Sequence, residues 1–263
     1  MKMGLIKQFA GSFAWRETEK VKGSYPVVAL AGNPNTGKST LFNALTGLKQ
    51  HTGNWPGKTV LKAEGVFKHK GTKFSVVDLP GTYSLMANSA EEQVARDFIC
   101  FEDPKAVVVV VDATCLERNL NLVLQVTEIT PRVAVCLNLM DEAKRKRIKI
   151  DVNLLGQELG VPVLPVVARE KQGLEDLKNA IYNLVTGQYL PDPVKVTYQP
   201  QVEKALAGLE ARLQPLLPSH INSRWLALRL LDGDESIVSS LEQHLYQFRA
   251  IPKVGGELTL WAR

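Results

Sequence analysis

VVALAGNPNTGKSTLFN, residues 27–43, joins an apolar run of strand length to a glycine-bearing turn and then to a helix-forming stretch. Val27 to Ala31 reads as a strand buried on both faces, and Ser39 to Leu45 as a helix. Between them Gly32-Asn33-Pro34-Asn35-Thr36-Gly37-Lys38-Ser39-Thr40 fills the phosphate-loop pattern of glycine, four residues, glycine, lysine and a hydroxyl. A β- or γ-phosphate needs several backbone N–H groups turned inward. Gly32 and Gly37 remove the side-chain wall that would obstruct them, and the following helix aims its first N–H groups at the same anion. Lys38 sets a cation against the phosphates, and the Ser39 hydroxyl is a hard oxygen ligand suited to magnesium.

Outward from this stretch, further short apolar strands are expected at Val60 to Phe67, Phe74 to Val77, Val107 to Val111, Val133 to Leu137 and Val161 to Val166. Their near-continuous β-branched character fits strands covered on both faces, where half-buried strands would alternate. Helices are expected at Ala90 to Ile99, Leu116 to Glu128, Asp151 to Leu159 and Leu174 to Val185, so the pattern is βα repetition with a mostly parallel central sheet. Pro191, Pro193 and Pro200 break it and mark a boundary. Beyond lie Val202, Leu206, Leu209 and Leu213 at helical spacing, then Trp225, Leu226, Leu228, Leu230 and Leu231, then Ile237, Leu241 and Leu245 behind a capping Asp234. The expected organisation is an N-terminal extension (1–24), an α/β P-loop domain (25–189), a linker (190–199) and a small all-helical domain with a C-terminal tail (200–263). In the extension, Leu5, Ile6, Phe9, Phe13 and Trp15 stand among lysines and glycines, a weakly amphipathic pattern.

With 263 residues, 45% hydrophobic and 22% charged, the chain can bury a sizeable core. Its formal charge of +5 is compatible with an anionic partner but does not choose one. Cys100, Cys115 and Cys136 are odd in number and lack metal-ligand spacing, and no secretory leader is recognisable, which argues against a disulfide framework and for a reducing cytosolic setting. The densest apolar run, Ala106 to Val111, has strand length and cannot span a bilayer.

Asp78-Leu79-Pro80-Gly81 follows the strand at Phe74 to Val77, where the carboxyl end of the sheet presents it beside the phosphate loop. Asp78 can bind magnesium through water, and the Gly81 N–H can contact a γ-phosphate and move when that group leaves. Asn138-Leu139-Met140-Asp141 follows the strand at Val133 to Leu137, and the Asp141 carboxylate can accept two hydrogen bonds from the guanine N1–H and exocyclic amine. Adenine has no such donor pair. The Ala168 N–H can serve the guanine oxygen.

These segments resemble the cytosolic amino-terminal region of the bacterial ferrous iron transporter B family, within the translation-factor-like branch of guanine-nucleotide-binding proteins. The resemblance covers about residues 26 to 250 and rests on GNPNTGKSTLFN (32–43), GNWPG (53–57) with Thr59 after it, DLPGTY (78–83) and VDATCLERN (111–119). The tail, with Arg224-Trp225-Leu226-Ala227 and Leu230 to Asp234, resembles the family's helical domain, which is associated with inhibition of nucleotide dissociation. The resemblance implies a G domain whose first motif is Gly32 to Thr40, whose switch-one magnesium ligand is Thr59 beside Gly57, whose third motif is Asp78 to Gly81, and whose guanine motifs are Asn138 to Asp141 and Val167 to Arg169. It implies magnesium-dependent hydrolysis of GTP to GDP and phosphate. It also implies a membrane-embedded iron-transport portion of the same polypeptide, a place at the cytoplasmic face of the inner membrane for a fragment that is itself soluble, and no nucleic-acid partner; a homo-oligomer is left open.

Two positions depart from common patterns. Met140 stands where small GTPases have lysine, and Val167 where serine or threonine is frequent. Thr82 follows Gly81 where many switch GTPases carry a water-positioning glutamine. Catalysis is then expected from Lys38, Gly81, Thr59 and Asn35, by charge and position. In the resembling family the asparagine matching Asn35, with switch-one carbonyls, holds potassium near the phosphates. Trp55 is expected near the nucleotide, and Glu91 and Glu92 as helix-capping charges. Two other readings stay open, a noncatalytic GDP/GTP-binding regulatory module and a ribosome- or tRNA-associated GTPase.

Overall fold

The computed structural model describes residues 25–47, 50–55, 58–86 and 88–248. The expected extension at 1–24 and the tail beyond 248 lie outside the described residues. The first domain is a seven-stranded sheet: β1 (Val27–Gly32), β2 (Gln50–Asn54), β3 (Leu61–His69), β4 (Thr72–Asp78), β5 (Ala106–Asp112), β6 (Val133–Asn138) and β7 (Val163–Pro165). The spatial order is β2-β3-β4-β1-β5-β6-β7. β4, β1, β5, β6 and β7 run parallel, whereas β2 and β3 form an antiparallel edge. The sheet is therefore mixed, and mostly parallel as the sequence predicts.

Helices α1 (Lys38–Thr46), α2 (Ala90–Phe101), α3 (Leu116–Ile129), α4 (Met140–Arg145), α5 (Val152–Leu159) and α6 (Leu174–Thr186) connect the strands. Successive strand residues face opposite layers. Val28 and Leu30 pack with Leu41, Phe42, Leu177 and Ile181, while Ala29 and Ala31 pack with Val94, Phe98, Leu122 and Val126. All of Ala106 to Val111 is buried, which is why β5 needs apolar residues on both faces. Strand order reverses about β1, so a crevice opens at the carboxyl ends of β1, β4 and β5, where the phosphate loop lies.

Residues 200–248 supply α7 (Pro200–Leu213), α8 (Ser223–Asp232) and α9 (Glu235–Phe248). Leu206, Leu213, Trp225, Leu226 and Ile237 join the core layer that covers α2 and α3. Asn222 caps α8 by accepting from the Trp225 N–H (3.0 Å), and its amide also donates to the Glu128 carbonyl of α3 (2.9 Å). Asp234 accepts from the N–H groups of Ser236 (3.0 Å) and Ile237 (3.3 Å), the cap its position predicts.

The seam also holds a wholly buried guanidinium. Arg96 of α2 donates to Asp97 (2.8 and 2.9 Å), Asp234 (3.2 Å), Ser236 (2.7 Å) and Ser240 (3.2 Å). Deleting the cation strands two carboxylates, although Asp97 is 28% exposed and can rehydrate in part. Arg96→Met is expected to lower unfolding free energy in urea by about 2–3 kcal/mol.

No helix among the described residues is long and apolar enough to cross a membrane. Burial raises the thiol pKa of Cys100 and Cys136 well above the ordinary value, which keeps both protonated.

Candidate nucleotide site

The phosphate loop is held by its own backbone. Asn35 (φ 67°) and Gly37 (φ 81°) adopt left-handed conformations, and the buried Thr36 hydroxyl donates to the Asn33 carbonyl at 3.0 Å. A Cβ at Gly32 would approach the Val110 carbonyl to 2.6 Å, and one at Gly37 would collide with the Asn138 amide. Both glycines are therefore required by packing as well as by turn geometry. Helix α1 starts at Lys38 without a side-chain cap, which leaves its first N–H groups available to an anion. Pro34, Asn35, Ser39 and Thr40 are exposed at this mouth.

Lys38 and Asp78 form an ion pair, with side chains only 10% and 14% exposed. Burial raises the Asp78 carboxyl pKa, while the neighbouring ammonium acts against that rise. The pair borders a cavity of about 460 Å³ lined also by Ser39, Asn43, Thr52 and Lys62. The Ser39 hydroxyl and Asp78 carboxylate present hard oxygen donors to one space, a donor set that fits magnesium. The third motif lies directly on the phosphate loop. The Leu79 N–H donates to the Leu30 carbonyl (3.0 Å) and the Thr82 N–H to the Gly32 carbonyl (3.2 Å), and Gly81 backs onto Pro34, a Cβ there falling 3.4 Å from its Cα. Thr82 is 4% exposed.

Asn138 connects the two ends of the site. Its Nδ2 donates to the Thr36 carbonyl (2.9 Å) and its Oδ1 accepts from the Ala168 N–H (3.1 Å), with the side chain buried. One amide thus fixes the phosphate loop to the loop of Val167, Ala168 and Arg169. Leu139 turns the chain through a left-handed conformation (φ 62°) into α4, which begins at the partly buried Met140. Asp141 pairs with Arg169 through Oδ2, and its Oδ1 is buried without a partner. Val167 (5% exposed) and Ala168 (4%) are buried beside them, so Val167 serves packing where a hydroxyl residue was the common pattern. Asn138→Ala should cost about 2–3 kcal/mol in urea unfolding, since two buried partners lose their bonds, and should weaken nucleotide binding alongside.

Switch one departs most from expectation. Trp55 packs edge-to-face on Phe98 of α2 at 5.3 Å between centroids and is 9% exposed, which corrects its expected place near the nucleotide. The Trp55 main-chain N–H donates to the Val60 carbonyl (2.8 Å), which ties the end of β2 to the start of β3 while the indole packs into the core. Thr59 is exposed in that turn and does not line the cavity, and Gly57 lies outside the described residues. Glu92 behaves as predicted: its N–H donates to Ser89 Oγ (3.1 Å) and its carboxylate accepts from the Asn88 N–H (3.0 Å).

Sequence reading did not single out Thr52, Lys62 or Asn43 beside the cavity. Asn43 sits four residues after Ser39, on the same helical face, and could have been found from that spacing. Thr52 and Lys62 arrive only through hairpin register, in which Thr52 pairs with Ala63 and Gly53 with Lys62.

Two family models match this chain: ferrous iron transport protein B over residues 26–181, and the FeoB cytosolic helical domain over residues 198–255. The Fe(2+) transporter FeoB of Methanocaldococcus jannaschii is 48% identical over 210 residues, covering 80% of this chain and 31% of that protein. Its counterpart in Salmonella typhimurium is 42% identical over 215 residues, 79% of this chain and 27% of that protein. The chain thus spans about a third or less of the curated relatives it matches. The cytosolic domain of the T. maritima FeoB iron transporter in apo form superposes with a TM-score of 0.74 at 38% identity, covering 88% of this chain and 89% of that one. That domain has also been solved in GDP and GMPPNP forms. With a phosphate loop, a third motif and a base loop joined in one crevice and a helical domain packed on α2, the chain belongs to the FeoB ferrous iron transport family, as its cytosolic GTPase G domain with the helical domain that follows.

Proposed function

We propose that the chain hydrolyses GTP to GDP and phosphate as a guanine-specific switch, and that in its natural context this switch regulates a membrane-embedded ferrous iron transporter from the cytoplasmic face of the inner membrane. The observation that carries the guanine reading is the Asn138 amide, which ties the phosphate loop to the base loop beside an unpartnered Asp141 oxygen. The carboxylate, with a free buried lone pair, is matched by the adjacent guanine N1–H and exocyclic amine, a donor pair that adenine lacks. The division into a G domain at 25–189, a linker at 190–199 and a helical domain from 200 fits the break in apolar pattern between α6 and α7.

In this reading the backbone of Gly32 to Thr40 wraps the phosphates, and Lys38 turns from Asp78 toward them. Asp141 orients the base, with the Ala168 N–H at the guanine oxygen and Met140, Val167 and Arg169 around it. Ser39 and Asp78 would hold magnesium, with Thr59 joining them once its exposed segment folds over the cavity, and the ion would supply positive charge to the phosphate oxygens. Thr82 is buried and tied to Gly32, so water positioning falls to backbone groups such as the Gly81 N–H and to charge preorganised around the γ-phosphate. The exposed, left-handed Asn35 at the mouth of the loop would hold potassium, which adds charge as the phosphoryl group transfers.

The potassium assignment has its own test. Wild-type turnover should be faster in potassium than in sodium at matched ionic strength. Asn35→Ala should abolish most of that difference while changing nucleotide affinity less, because the extra charge acts mainly in the transition state. Equal turnover in the two salts, or a preference fully kept by the variant, refutes the ion site.

A further inference from the structure

Asn33 is 3% exposed, and neither its Nδ2 nor its Oδ1 has a hydrogen-bond partner. Two neighbouring carbonyls are already engaged: that of Asn33 accepts from Thr36 Oγ1 and that of Gly32 from the Thr82 N–H. A buried orphan amide is costly, and an apolar side chain of similar volume would avoid the cost. The orphan lies on the same side of the sheet as the third-motif loop. In β1, Ala29 and Ala31 face the α2–α3 layer and Val28 and Leu30 the other, so the alternation carried past Gly32 sends Asn33 to the α2–α3 side. Leu79 and Leu85, which flank the third-motif loop, belong to that same layer.

We propose that Asn33 is a positioning residue for the triphosphate state, its Oδ1 accepting the Thr82 N–H when that donor leaves the Gly32 carbonyl. The inference rests on the guanine-nucleotide reading above. Gly81 now backs onto Pro34, and bringing its N–H to a γ-phosphate shifts the adjoining Thr82 peptide. Thr82 is nearly dry, so a released N–H needs a protein acceptor. Asn33 Oδ1 is a buried acceptor with an open lone pair, one residue along from the present partner. The exchange makes the nucleotide-free seat less favourable and the loaded seat more so, which biases the switch toward closure on GTP.

The test uses the whole chain with Asn33→Ala and the larger Asn33→Leu. Melting temperature is measured without nucleotide, and affinities are measured for GDP and for a nonhydrolysable GTP analogue. Both variants should melt at or above the wild-type temperature, since each removes an unsatisfied amide. The analogue-to-GDP affinity ratio should fall by about tenfold, the size of one hydrogen bond to an otherwise orphaned group. An unchanged ratio in either folded variant overturns the proposal, as does a lower nucleotide-free melting temperature with equal weakening of both nucleotides. Failure of the wild type to bind either guanine nucleotide would defeat the guanine reading, and this inference with it; a wild-type preference that the variants retain defeats the Asn33 assignment alone.

Discussion

Lys38→Ala lowers GTP turnover by about two to three orders of magnitude, the range seen when one preorganised charge donor to a transition state is removed. The ammonium is held by Asp78 at the edge of the cavity that Ser39 also lines, so it reaches the phosphates by a short swing of its own stem. The loss should fall on kcat more than on KM, because charge on the transferring oxygens grows as the bond breaks. Removing the cation also takes away the group that opposes the burial-driven rise of the Asp78 pKa, so the carboxyl moves further up and is more readily protonated. The nucleotide-free fold should survive, since Lys38 contributes to neither hydrophobic layer. Phosphate release at saturating GTP, with circular dichroism as the fold control, reads both effects. Unaltered kcat removes Lys38 from the chemistry.

Asp141→Asn weakens GDP and GTP binding by about a hundredfold, as expected for the loss of two charge-assisted hydrogen bonds at a largely dry site. The amide offers one acceptor and places a donor against the second guanine donor. Xanthine presents an oxygen there instead of the exocyclic amine, so xanthine nucleotides should gain relative to guanine nucleotides. Arg169 loses its carboxylate in the same variant, which gives an internal check: Arg169→Ala alone should leave the base preference intact, because it frees an Asp141 oxygen and removes no contact required to read guanine. Titration of guanine and xanthine nucleotides against both variants separates the two residues.

Much of the parallel sheet was legible because β1, β5 and β6 are buried on both faces and must be apolar throughout. The edge was not. Gln50 to Asn54 carries no apolar alternation, and it is a strand only because it pairs antiparallel with Leu61 to Gly65, a register that the Trp55 N–H to Val60 carbonyl bond extends. The same register explains the misreading of Trp55, whose proximity to a glycine-rich switch pointed outward while its apolar area favoured Phe98. Within the site, Gly32, Gly37, Lys38, Asp78 and Asp141 announce themselves because each residue type has a specific chemical task. Asn138 was visible as a motif member, but its joining of two loops depends on atoms 30 and 102 residues away, which no local pattern encodes.

The most direct measurement is phosphate release by this chain from GTP and from ATP side by side, with magnesium, in potassium. Release from GTP that stops when magnesium is chelated, with none above background from ATP, is the predicted result. Equal release from the two nucleotides, or none from GTP by folded protein, would contradict the assignment of this crevice as a guanine-specific hydrolytic site.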